Sequence, residues 1–137
     1  MLNTPVFLLI FQMTQLQSNK EKLLNRLDEL YNSLNYNDWD GYGSYPIEKE
    51  SYTNAYNIIQ NSDDEVLEFW IIFPSPNGTI LFEFACDEIA GISVGNTGFS
   101  YAAMKDIDNV ICGEYQFDLD KAVSILKEII HFLGYIK

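Results

Sequence analysis

LEFWIIFPSPNGTILFEFAC, residues 67–86, is the stretch that decides the fold of this chain. Residues 67–73 carry bulky apolar side chains at both odd and even positions, which predicts a central strand covered on two faces. A turn follows, since Asn77-Gly78 readily takes the positive φ angles of tight hairpins. Residues 79–86 alternate in hydrophobicity, which predicts a second strand with one buried face. The side chains expected on that face are Ile80, Phe82, Phe84 and Cys86, which makes Cys86 a buried thiol.

Further strands and three helices are predicted on either side of this hairpin. Strands at 89–94 and 99–104 flank a second turn, Gly95 to Gly98, and residues 110–115 form a short closing strand. The helices are predicted from apolar residues that recur every three or four positions. They cover residues 16–34, residues 47–60 and a C-terminal segment that begins at the capping residue Asp118 and ends near Gly134.

This order of elements defines the predicted architecture. We expect one α+β domain over residues 1–137, with two N-terminal helices, an antiparallel meander of four to five strands, and a C-terminal helix packed on the sheet. Residues 61–65 are expected to be a polar loop after the second helix. Near the start of the chain Thr4-Pro5 can begin a helix, but the apolar run Val6–Phe11 is compatible with either a helix or a strand.

The charge of the chain narrows the classes of partner. Twenty acidic residues against eight basic ones leave a net charge of −12, which disfavours direct binding to nucleic acid and to anionic membranes. A basic protein is the partner that such a charge attracts, although solubility alone would also explain it. Connections between strands of a meander share the ends of the sheet, so some acidic connections are expected to gather in one patch. These acidic residues are Asp63, Asp64, Glu65, Asp87, Glu88, Asp106 and Asp108.

The cysteines and the N-terminal run indicate a cytoplasmic protein. Cys86 and Cys112 lack CxxC spacing and histidine companions, so no zinc site is predicted and both thiols are expected to be reduced. A secretory signal needs a basic region, but the first basic residue is Lys20. Val6–Phe11 is also far shorter than the ~20 residues of a membrane span.

A glycine-rich aromatic segment, residues 37–46, lies between the first two predicted helices. Trp39, Tyr42 and Tyr45 form either a surface held ready for a partner or a cover folded onto the protein, with Trp39 filling the gap between the helices and the sheet. Three further residues are expected to shape the loop backbone, namely Gly41, Gly43 and Pro46, and we expect a positive φ at Gly41 or Gly43. Asp40 belongs to the candidate binding residues, together with Trp39, Tyr42, Tyr45, Asp63, Asp64 and Glu65.

A calcium site in this loop is not predicted. Asp38 and Asp40 match the first and third positions of a calcium-binding loop, but Tyr42 and Lys49 stand at the fifth and twelfth positions, where oxygen ligands are required. The two carboxylates are therefore expected to accept hydrogen bonds from nearby backbone N–H groups. We expect no metal and no cofactor.

No catalytic constellation is recognisable. The single histidine, His131, is expected on the solvated side of the last helix. Twenty carboxylates produce closely spaced pairs such as Asp38/Asp40 and Asp87/Glu88 by chance. We therefore expect a protein without enzymatic activity.

Several of these motifs resemble a family of small bacterial proteins encoded in chromosomes and mobile elements. The resemblance covers about residues 30–100 and includes Trp39-Asp40-Gly41-Tyr42-Gly43, Pro46-Ile47, and the hairpin Pro74-x-Pro76-x-Gly78-x-Ile80-x-Phe82-Glu83-Phe84. The chain departs from the family pattern at Ser44 and Phe84, where Ala and Trp are usual. The resemblance implies a shared fold and a structurally important loop, and it implies no reaction.

Two functional hypotheses follow. The first is an acidic protein-interaction module of the antitoxin, immunity-protein or inhibitor type, which binds a basic protein. The second is a small-ligand or glycan-binding module, or a carboxylate enzyme, that uses the Trp39–Tyr45 loop as its floor. A concave pocket with an exposed Trp39 and a carboxylate of raised pKa would favour the second hypothesis.

Overall fold

The computed structural model describes residues 17–136, and the predicted α+β class is confirmed. Within these residues the sheet has five antiparallel strands in chain order. The predictions for Thr4-Pro5 and Val6–Phe11 lie outside the described residues. The elements are α1 (Asn19–Ser33), α2 (Lys49–Gln60), α3 (Asp64–Leu67), β1 (Trp70–Pro74), β2 (Ile80–Phe84), β3 (Ile89–Val94), β4 (Gly98–Asp106), β5 (Asn109–Gln116) and α4 (Leu119–Phe132).

The hairpin that the sequence predicts is formed by β1 and β2. Ile72 lies opposite Phe82 and Pro74 lies opposite Ile80, so the inward-facing residues of both strands share one face. Gly78 has a φ of +89° and its N–H donates to the carbonyl of Ser75 at 3.0 Å, which closes the turn. Trp70, Ile72, Ile80, Phe82 and Phe84 are all buried, as expected from their alternation.

The helices of the described residues pack on one face of the sheet. Buried side chains of α1, α2 and α4 form a single core with the inward-facing residues of the strands. On the other face Ile71 and Phe73 of β1 are 42% and 37% exposed. Within residues 17–136, β1 is therefore an edge strand covered on one face, and the prediction of a central strand covered on both faces is wrong for this part of the chain. Pro74 suits an edge, because it has no N–H to offer an outer neighbour.

The two ends of the sheet differ in what they join. The turn end carries the β1–β2 and β3–β4 connections, and α2 begins there, where the N–H and Oγ of Ser51 both lie 2.9 Å from Asn96 Oδ1. The acidic end carries the β2–β3 and β4–β5 connections, and α1 begins there, with the Lys20 N–H donating to Asp64 Oδ1 at 2.8 Å. Polar side chains thus tie the start of α2 to the β3–β4 connection and the start of α1 to the first residue of α3.

Two local predictions need correction. Residues 64–67 form the short helix α3 in place of part of the polar loop, because Val66 and Leu67 are drawn into the core. Cys86 is exposed, because β2 ends at Phe84 and the chain turns before Cys86 can continue the alternation.

The predicted caps of the last helix are confirmed. Asp118 accepts a hydrogen bond from the Lys121 N–H at 3.1 Å. Gly134 has a φ of +90°, and the next N–H, that of Tyr135, bonds back to the Ile130 carbonyl at 3.1 Å.

Candidate functional site

The aromatic loop, defined here as residues 36–46, has a backbone held by its own hydrogen bonds. Three residues have positive φ angles: Asp38 at +60°, Gly41 at +78° and Gly43 at +85°. The Asp38 N–H donates to the Ser44 carbonyl at 2.7 Å and the Gly41 N–H donates to the Asp38 carbonyl at 3.1 Å. The prediction for the two glycines is confirmed, whereas the left-handed conformation of Asp38 was not foreseen. Aspartate adopts this conformation more readily than most residues, which is the only signal for it in the sequence.

The two carboxylates of the loop act as internal acceptors, as predicted. Asp38 Oδ1 accepts from the Gly43 N–H at 2.6 Å, and Asp40 Oδ1 accepts from the N–H groups of Tyr42 and Ser44 at 2.8 and 3.2 Å. The hydrogen bond from the Tyr42 N–H, the largest cause, and those of Ser44 lower the pKa of Asp40 below its usual value of 3.8. Residues 17–136 contain no cluster of three or more His, Cys, Asp or Glu that could hold a metal ion.

The loop is docked on the β1–β2 turn. The N–H of Tyr45 donates to the Pro76 carbonyl at 2.7 Å, and the N–H of Glu48, just after the loop, donates to the Gly78 carbonyl at 3.0 Å. A side chain at Gly78 would place its Cβ 3.0 Å from the Pro46 carbonyl and from the Glu48 side chain. The loop and the turn are therefore in direct backbone contact, which only a glycine at position 78 permits without displacement.

Trp39 fastens the loop rather than filling the core. Its side chain is half-buried, and its indole N–H donates to the Tyr45 carbonyl at 2.7 Å. Trp39 is not among the side chains that form the hydrophobic core of residues 17–136 or pack against it. The prediction that Trp39 fills a gap between the helices and the sheet is therefore wrong.

The docked loop presents tyrosine rings to solvent. Tyr42 is 93% exposed, Tyr45 is 65% exposed and Tyr36 is 54% exposed. Tyr42 is held at the tip, where the N–H of its own backbone is bonded to Asp40. The arrangement is a rigid backbone that carries three exposed aromatic side chains, a geometry suited to contact with a partner surface.

The connections that carry the acidic residues all belong to the acidic end of the sheet, and their gathering into one charged patch stays a prediction. Residues 63–65 precede β1, residues 87 and 88 join β2 to β3, and residues 106 and 108 join β4 to β5. Several of these carboxylates are already engaged: Asp64 bonds to the start of α1, and Glu88 accepts from the Tyr135 hydroxyl at 2.6 Å. That hydroxyl has a raised pKa as a result.

The candidate binding residues therefore form two groups at opposite ends of the sheet. Trp39, Asp40, Tyr42 and Tyr45 lie at the turn end, with Pro46 in contact with Gly78. Asp63 and Glu65 are exposed at the acidic end, whereas Asp64 is half-buried. The sequence offered no sign of this separation, because it depends on the direction in which each strand runs.

Comparison with known proteins leaves this geometry as the guide to function. No family model, curated protein or solved structure matches the chain. None of the helices within residues 17–136 combines the length and the apolar composition that a membrane span requires. His131 is exposed, and its Nδ1 lies 3.2 Å from the Ile136 carbonyl.

Proposed function

We propose that this chain is a non-enzymatic protein-interaction module that binds a basic protein through the tyrosines of the aromatic loop. An antitoxin, an immunity protein or an inhibitor is the kind of protein that works in this way. The observation that carries the proposal is the exposure of Tyr42, 93%, on a backbone that hydrogen bonds hold in place. Trp39 and Asp40 position the loop, and Tyr36, Tyr42 and Tyr45 make the contacts.

A rigid tyrosine-bearing loop favours binding for two physical reasons. Each aromatic ring brings a large contact area, and tyrosine is among the residues that most often dominate interface energies. Because the backbone is already ordered by the bonds of Asp38 and Asp40, little conformational entropy is lost when a partner binds. The loop therefore resembles the antigen-binding loops of a matured antibody, whose backbone is already rigid before the antigen binds.

The charge favours a basic partner. No Lys or Arg occurs from residue 27 to residue 48, so the loop and its flanks carry only acidic charges. The whole chain adds a net charge of −12, which raises the rate of encounter with a basic surface. Asp63 and Glu65 lie at the opposite end of the sheet, so they add to this attraction only at low ionic strength, where the Debye length is long enough to reach the loop.

The alternative, a ligand-binding module or a carboxylate enzyme, is less favoured by the loop. A general acid requires a raised pKa, but the hydrogen bonds from Tyr42 and Ser44 lower the pKa of Asp40. Trp39 is half-buried and bonded to the loop backbone, and Tyr42 projects into solvent. These features suit a protruding contact surface better than the floor of a pocket.

The test uses quantitative affinity capture from cells of the native host, followed by binding measurements on the purified partner. The baits are the wild-type chain, Tyr42→Ala and the matched control Ile107→Ala, which removes a side chain that is 87% exposed at the acidic end. We expect Tyr42→Ala to weaken binding by about 2 kcal/mol, or roughly 30-fold in Kd, and Ile107→Ala to leave it unchanged.

The charge is tested by a second pair of measurements. At about 0.01 M ionic strength, where the Debye length is about 30 Å, Asp63→Lys with Glu65→Lys should slow association and leave dissociation nearly unchanged, and physiological salt should abolish the difference. Asp64 is left intact, since its carboxylate bonds to the start of α1. A Kd indifferent to Tyr42→Ala would refute the role of the loop, and an association rate indifferent to salt would refute electrostatic attraction.

A further inference from the structure

The sheet face opposite the helices of residues 17–136, here called the outer face, exposes a set of apolar side chains. Apart from tyrosines and Ile107 of the β4–β5 connection, all the large hydrophobic side chains that are exposed in the described part of the chain belong to this face. Contiguous exposed apolar surface marks an interaction site more often than scattered single residues do. The members of the set are Ile71, Phe73, Ile89, Met104 and Val110.

Three of these side chains form one row across the sheet. Ile89 lies opposite Met104, and Met104 lies opposite Val110, so neighbouring side chains of the row are about 5 Å apart. They are 73%, 38% and 48% exposed, respectively. The row is therefore an open apolar ridge near the acidic end of the outer face.

A shallow depression lies next to this ridge. It is formed by the short side chains of two strand pairs, Gly91 with Ala102 and Ser93 with Ser100. Ser93, Ser100 and Glu114 also line a cavity of about 220 Å³ at the turn end of the depression. The flanking strands β2 and β5 are about 14 Å apart, which leaves room for a helix about 10–12 Å wide.

One carboxylate stands on each side of the depression. Glu83 of β2 lies opposite Gly91, and Glu114 of β5 lies opposite Ser100. Both residues are exposed. A ligand that rests on the ridge and in the depression therefore meets negative charge on both of its flanks.

The cations near this face do not cancel these charges. Residues 69–117 contain six acidic residues and one basic residue, Lys105, which Asp106 follows directly. Lys22 and Arg26 of α1 lie beside β1 together with Glu68, at the margin of the sheet that is farthest from Glu114. The charges therefore favour a basic ligand over β2–β5 and not over β1.

We propose that the outer face over β2–β5 binds an amphipathic helix of a partner protein, with one apolar stripe flanked on both sides by Lys or Arg. The stripe packs on the ridge and in the depression, and the flanking cations meet Glu83 and Glu114. The aromatic loop is docked on the β1–β2 turn and takes no part in this contact. The inference thus goes beyond the proposed function and does not depend on it.

Other occupants fit the charges of the outer face less well. A second copy of this chain would bring like carboxylates together between two proteins of net charge −12. An uncharged segment such as residues 1–16, which contain no Lys or Arg, would cover Glu83 and Glu114 without a counter-charge. An anionic membrane surface repels both carboxylates. A basic amphipathic helix supplies apolar area and counter-charge together.

Two model peptides test the proposal on the full chain. One is an amphipathic helix of Leu and Lys, about 18 residues and about 27 Å long, and its match carries Glu at every Lys position. Titration calorimetry should show binding of the Leu/Lys peptide only. Its largest effects on the amide NMR shifts of the chain should fall on residues 89–91, 100–104 and 110–114. Ile89→Ser with Val110→Ser should raise its Kd at least about ten-fold.

Paired charge variants separate local recognition from net charge. At about 0.15 M salt, where the Debye length is about 8 Å, Glu83→Gln with Glu114→Gln should raise the Kd about five-fold. Glu21→Gln with Glu29→Gln removes the same charge from exposed positions of α1 and should change the Kd by less than about two-fold. Equal losses for the two pairs overturn the proposal, and so do shift changes confined to other surfaces.

Two results on the chain without peptide overturn it as well. NOEs from residues 1–16 to Ile89 and Met104 would show that the chain covers its own outer face. A dimer in sedimentation equilibrium that Ile89→Ser with Val110→Ser dissociates would show that a second copy covers it. A monomer with neither signal, combined with the expected peptide binding, supports the proposal.

Discussion

Gly78→Ala should destabilise the protein by about 3 kcal/mol, more than any single change elsewhere in the loop–turn contact. At a φ of +89° any L-residue is strained, which amounts to about 1–2 kcal/mol. The new Cβ would also lie 3.0 Å from the Pro46 carbonyl oxygen and from Cγ and Oε1 of Glu48. Overpacking of this kind costs about 1–3 kcal/mol, and a less flexible unfolded chain offsets about 0.4–1 kcal/mol.

Gly43→Ala separates the two contributions. Gly43 has nearly the same φ, +85°, but nothing lies within 4 Å of a Cβ built there. This variant carries the strain alone and should lose about 1 kcal/mol. The difference between the two variants, about 2 kcal/mol, measures how closely the aromatic loop is docked on the hairpin turn.

Urea denaturation followed by circular dichroism gives both free energies of unfolding. Glu48→Ala in the Gly78→Ala background should restore part of the loss, because two of the three close atoms belong to Glu48. The backbone oxygen of Pro46 stays in place, so recovery should be incomplete. If Gly78→Ala costs no more than Gly43→Ala, the loop is not seated on the turn and the argument for a rigid binding surface fails.

Three further predictions concern single side chains. Tyr52→Phe removes the hydrogen bond to Asp28 but keeps the ring stacked on Tyr31 at 4.4 Å between centroids, so we expect a loss of about 1 kcal/mol in urea denaturation; a neutral result would contradict the bond. The bond raises the pKa of Tyr52 to about 12, so its contribution is complete below the ordinary value of 10 and disappears as pH rises through 12. The stability contributed by Asp40 has the opposite dependence on pH. Its lowered pKa means that this contribution is complete above pH 3.8 and is lost as pH falls further. Asp40→Asn should therefore flatten the acid unfolding curve, and identical curves for the two proteins would refute this. Cys86 and Cys112 should both react with iodoacetamide in the native protein, and an intact mass lower by two hydrogens would reveal a disulfide instead.

Local patterns in the sequence were sufficient for most of the secondary structure. The Asn77-Gly78 turn, the alternation of Ile80, Phe82 and Phe84, and the Asp118 cap each depend on residues close together in the chain. The same holds for Gly41 and Gly43, where two glycines around a tyrosine predict unusual backbone angles. Such features need no knowledge of distant contacts.

Predictions that depended on neighbours distant in sequence were wrong or incomplete. Cys86 lies one step beyond the end of its strand, and only the turn into β3 shows that its side chain leaves the core face. Trp39 bonds to Tyr45 within its own loop, although its size suggested a place in the core. The size of an apolar side chain does not specify which residues it packs against, because the hydrophobic effect depends on the apolar area buried and not on the identity of the neighbours.

By itself, the sequence determined the α+β class, the order of the elements and the acidic character of the protein, since these follow from periodicity, turn residues and composition. Only the tertiary structure decided that the aromatic loop and the acidic connections lie at opposite ends of the sheet, and that β1 has an unpaired edge within residues 17–136. The physical reason is that strand direction and position in the sheet are set by pairing between distant segments. A local pattern specifies which residues face inward, but not which strand or loop they will meet.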